Sequence, residues 1–150
     1  YLTTRNLLKF STKKLFVGAI GSPTTLSFKR IASQPVFNKL KYDHKKVDVV
    51  LAPAFVHLHL AQSNLKDKHI ELAAQNAQLS LLGHTQDKLG NCWKYSPEHI
   101  KDVGVEWVIV GHSERRSHFN ESPHFVVEKT KTALKNNLKV IFCFGENLVE

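Results

Sequence analysis

Five short apolar runs punctuate the chain, at 14–19 (K-L-F-V-G-A), 47–52 (V-D-V-V-L-A), 70–75 (I-E-L-A-A-Q), 106–111 (E-W-V-I-V-G) and 138–144 (L-K-V-I-F-C-F). Each is rich in β-branched or aromatic residues, and several are apolar at consecutive positions instead of alternating. That pattern predicts strands covered on both faces, as in parallel sheets. The segments between them read as helices. Ser122-Pro123 opens one, with a capping hydroxyl followed by proline at the first helical position. Val126, Val127, Thr130, Ala133 and Leu134 then recur at helical spacing up to the terminators Asn136 and Asn137. A shorter helix opens at Ser96-Pro97-Glu98, is expected to bury Ile100 and Val103, and stops at Gly104. Phe55, Leu58, Ala61 and Leu65 mark a third. The first crossover, 24–46, contains Pro35, which predicts a break or kink.

Strand–helix alternation of this kind implies parallel strands joined by right-handed crossovers. Strand starts lie about 23 to 36 residues apart, the scale of single βα units. The first strand runs into Gly18-Ala19-Ile20-Gly21-Ser22, which is neither a dinucleotide-binding nor a P-loop sequence. A dinucleotide-binding sheet is therefore disfavoured. Pattern alone leaves open an open doubly wound sheet or part of a barrel.

Composition adds little to this and excludes some classes. With 42% apolar residues, the 150-residue chain can bury a core in one domain. No run approaches the roughly 18 apolar residues of a membrane-spanning helix, so a soluble chain without a membrane partner is expected. Cys92 and Cys143 match no disulfide framework or zinc motif, and no metal site is expected. The net charge of +8 is uneven. Residues 1–14 contribute +4 through Arg5, Lys9, Lys13 and Lys14, and 29–48 another +4 from six bases against Asp43 and Asp48. From 49 to 150 eleven bases meet eleven acids. No nucleic-acid-binding fingerprint accompanies the basic third, so a solvated helix face and a basic tail explain it. The tail, 1–13, is expected to be disordered. It shares the basic, Ser/Thr-rich, acid-free composition of transit peptides but is too short to assign. The sequence holds no methionine, which suggests a fragment or a processed chain.

Chemistry concentrates in Trp107 to Arg116, W-V-I-V-G-H-S-E-R-R, where a buried strand meets five polar residues. Ligands of parallel α/β proteins sit at the C-terminal ends of strands. Gly111 allows close backbone approach. His112 is placed as an acid, base or hydrogen-bond donor, with Glu114, Arg115 and Arg116 able to organise it through ion pairs. A charged loop that merely caps a strand end is the competing reading.

The segment V-G-H-S-E-R-R resembles the signature after the fourth strand of triose-phosphate isomerases. In the same order, L-A-P-A-F-V at 51–56 resembles the end of that family's second strand, and L-A-A-Q-N at 72–76 its third. K-V-I-F-C-F-G-E at 139–146 resembles the fifth, and Ser96-Pro97-Glu98 to Gly104 the approach to the fourth. The resemblance implies an α/β fold, strands one to five of a (β/α)8 barrel with intervening helices, over 14–150. It implies a cytoplasmic, homodimeric, glycolytic and gluconeogenic isomerase. Such enzymes interconvert dihydroxyacetone phosphate and glyceraldehyde 3-phosphate through an enediolate without a cofactor. His112 matches the neutral histidine that polarises the carbonyl, a form favoured by the helix expected to start after it. Glu114 matches an active-site glutamate that supports the site. Ser113, Arg115 and Arg116 are placed around it or at an interface, and Gln75 and Asn76 at the base of the third loop.

Three departures qualify this. The family's first strand enters a G-N-W-K sequence, whereas Val17-Gly18 here leads into Ala19-Ile20-Gly21-Ser22-Pro23, without the asparagine or lysine. The stretch Leu79 to Tyr95 lacks the G-x-F-T-G-E dimer loop, which puts the usual dimer in question; its Gly90-Asn91-Cys92-Trp93-Lys94 echoes the missing letters on another wall. The sequence also stops after the fifth strand, where a barrel needs about 250 residues. Two readings follow: an isomerase whose activity belongs to a complete barrel, this chain alone being inactive, or a non-catalytic fragment acting by association with another chain. No residue is assigned to substrate binding.

Overall fold

The computed structural model describes residues 13–21, 26, 42–65, 67–79 and 95–145. The tail, the kink at Pro35, most of 79–95 with Cys92, and the segment after Gly145 lie outside them.

The five apolar runs form strands β1 (Lys14–Ile20), β2 (Val47–Pro53), β3 (Ile70–Ala74), β4 (Trp107–Val110) and β5 (Lys139–Phe142). All pair in parallel, in the spatial order β1-β2-β3-β4-β5. That order decides what the sequence left open, because a doubly wound sheet reverses its strand order partway and a barrel does not.

Burial gives the same answer. One core joins Val49, Leu51, Ile70, Leu72, Val108 and Val110 of the strands to helical Leu58, Ala61, Ile100, Val126 and Ala133. The other sheet face buries Val50, Ala52, Ala73 and Ile109 against Val17, Trp107 and Ile141, all from strands. Helices thus cover one face while the sheet curls around the other, giving a partial (β/α)8 barrel. On the inner face Val50 and Ala73 are fully buried. Exposure falls instead on the outer face of the edge strands, where Phe16 is 63% and Phe142 47% accessible.

The helices follow their caps. A short 3-10 turn (Phe55–His57) leads into α1 (Leu58–Asn64), which buries Leu58 and Ala61. In α2 (Pro97–Asp102) the Ser96 hydroxyl accepts the His99 N–H, and Ile100 is buried. Val103 departs from expectation at 41% exposed. Helix α2 ends before it, Gly104 takes φ +77°, and the turn places Val105 in the core instead. After α3 (Ser113–His118), the Ser122 hydroxyl accepts the Phe125 N–H at 3.2 Å to start α4 (Pro123–Lys135). Asn137 closes α4 with φ +58°, a left-handed conformation asparagine tolerates well, and Leu138 N–H reaches back to Ala133 O.

Candidate active site

Because every strand runs the same way, the segments after β1 to β5 gather on one rim. His112 stands there, two residues beyond β4, as the N-cap of α3. Gly111 makes the turn possible. Its φ is +79°, and a Cβ there would meet Cys143 O at 2.8 Å and Val126 Cγ1 at 2.9 Å. No residue with a side chain fits without shifting β5 or α4.

The His112 imidazole is half exposed, and its Nδ1 lies 3.8 Å from Glu114 Oε2. Glu114 occupies the first turn of α3 and is 73% exposed. The fold therefore brings two neighbouring titratable groups to the rim, both solvent-accessible. The predicted ion pairing of the arginines is met differently. Arg116 donates to Gly111 O at 3.0 Å and Cys143 O at 3.2 Å, tying the ends of β4 and β5 together. Arg115 turns away from His112 and pairs with Glu121 at 2.7 Å. Ser113 opens α3, and its carbonyl accepts the Ser117 hydroxyl.

Gln75 and Asn76 take supporting positions. The Gln75 amide donates to Ala52 O at 2.9 Å and reaches Ile20 O at 3.5 Å, bridging the ends of β1 and β2. Asn76 Oδ1 accepts from Lys129 Nζ at 3.0 Å.

Lys129 and Glu121 escaped the sequence reading. Both are buried, with Nζ 2.5 Å from Oε1, and Glu121 also holds Arg115. The signal was present: Lys129 falls three residues after Val126 and four before Ala133, on the buried stripe of α4. The network joins α3, which carries Glu114, to α4 and to the segment after β3. It fixes where the His112 turn sits, and in a low-dielectric setting such charges must be mutually satisfied.

Cys143 is a free thiol at the end of β5. Burial pushes its pKa up, with the Arg116 guanidinium partly opposing the shift. The shift favours the protonated thiol at neutral pH. Among the described residues no group of three His, Cys, Asp or Glu side chains forms a metal cage, and no helix is long and apolar enough to cross a membrane.

At the other end of the sheet, Lys139 pairs with Glu71 at 2.9 Å and Glu106 at 3.1 Å, and Trp107 Nε1 donates to Glu71. Such closure of the N-terminal ends reads as stability rather than chemistry.

Comparison with known proteins bears on the family. Residues 25–150 match the triosephosphate isomerase family. The triosephosphate isomerase of Saccharomyces cerevisiae is 42% identical over 106 residues, 71% of this chain and 40% of that protein. That of Debaryomyces hansenii is 43% identical over 106 residues, 69% of this chain and 40% of its own length. The Coprinopsis cinerea protein is 39% identical over 141 residues, 93% of this chain and 53% of its own. The chain therefore spans about half the length of the curated relatives it matches. On its sequential parallel strands, its one-sided helical layer and a family match over 25–150, the chain belongs to the triosephosphate isomerase family.

Proposed function

We propose that the chain supplies the first five strands of an enzyme interconverting dihydroxyacetone phosphate and glyceraldehyde 3-phosphate, in glycolysis and gluconeogenesis. The observation that carries this is His112, half exposed at the C-terminal rim beside Glu114. His112 donates to the substrate carbonyl oxygen as charge develops there, and Glu114 supports the site. A donor aimed at developing oxyanion charge contributes about 3–4 kcal/mol of barrier in comparable enzymes. The reading carries a cytoplasmic compartment and the family's homodimer with it, and no cofactor.

Turnover belongs, in this reading, to the barrel completed by the rest of a relative's length. The test is isomerase assay of 1–150 alone and mixed with a polypeptide carrying the remaining strands of a relative. No turnover alone and measurable turnover in the mixture are expected. Activity of the isolated chain overturns the division of labour.

A non-catalytic chain that associates with another is the second reading. It is favoured by Ala19-Ile20-Gly21-Ser22-Pro23 across the end of β1, which holds neither the asparagine nor the lysine of the family's sequence there. The exposed Phe16 and Phe142 beside the sheet edges also suit an associating chain. A mixture that assembles without turnover selects it.

A further inference from the structure

We draw no further inference here: the strongest candidate, the His44–His69 imidazole pair beside Tyr42 before β2 and β3, carries nothing, because rings stacked 3.9 Å apart at 25° aim their lone pairs along near-parallel planes rather than onto one ion.

Discussion

Lys129 Nζ lies 2.5 Å from Glu121 Oε1, and both side chains are buried. The second Glu121 oxygen is buried and accepts no hydrogen bond among the described residues. Glu121 thus faces both Lys129 and Arg115, and neutralising it takes a buried negative charge away from two cations. Glu121→Gln is expected to cost about 3–5 kcal/mol, a large share of the roughly 5–15 kcal/mol that stabilises a domain. Urea unfolding of the variant should show a much lower midpoint, or no cooperative transition. A change within about 1 kcal/mol, the scale of an exposed pair, contradicts the burial argument.

Gly111 and Gly21 separate backbone need from glycine content. Gly111→Ala forces a Cβ into Cys143 O and Val126 at a left-handed φ, while a Cβ at Gly21 meets nothing within 4 Å. Gly111→Ala is expected to cost more than about 1 kcal/mol. Gly21→Ala should stay within about 0.5 kcal/mol. Thermal unfolding of both variants checks the contrast, and equal effects would sink the claim that the His112 turn needs a glycine.

The helices and strands were legible because their signals are local: consecutive apolar residues for strands, Ser-Pro for helix starts. The curl was not, since strands of a doubly wound sheet and of a barrel are both covered on two faces and read alike. Val103 was misplaced because helical periodicity carries on past Asp102, while the Gly104 turn ends it. Lys129 was missed because lysine ordinarily marks a solvated face. Its burial requires Glu121, Asn76 and α4 to meet, which is tertiary information. His112 and Glu114 stand out through resemblance more than through physics, for a charged strand end alone has bland explanations.

A window of pH should bound the contribution of Lys139. Hydrogen bonding to Lys139 and its charge hold the Glu106 carboxyl below its ordinary value. For Lys139, partial burial pulls the pKa down, but hydrogen bonds and charge from Glu71 and Glu106 outweigh it and leave it raised. A depressed carboxyl contributes above its unfolded pKa and loses the contribution as pH falls. A raised lysine contributes below its unfolded pKa and loses it as pH rises. The stabilisation is thus fullest between about pH 5 and pH 10. Since Lys139 and Glu106 are about half exposed, Lys139→Met should cost no more than about 1 kcal/mol at pH 7. Unfolding of both proteins from pH 3 to pH 10 should show the difference shrinking in acid. A constant difference contradicts the pairing.

The Cys143 thiol should titrate late. Burial raises its pKa against the pull of Arg116, so alkylation in a Cys92→Ser background should rise with pH to a midpoint above the ordinary thiol value of about 8.5. A midpoint at or below that value would mean that Arg116 prevails over burial.

If His112 is the electrophile of a completed barrel, its loss must show in the chemical step. Chain 1–150 and its His112→Gln variant are each mixed with the complementary strands of a relative, and kcat and KM are measured for glyceraldehyde 3-phosphate. Turnover is expected for the native chain, and a loss of about 100-fold or more in kcat for the variant, with KM little changed. Equal turnover by both mixtures would contradict that role.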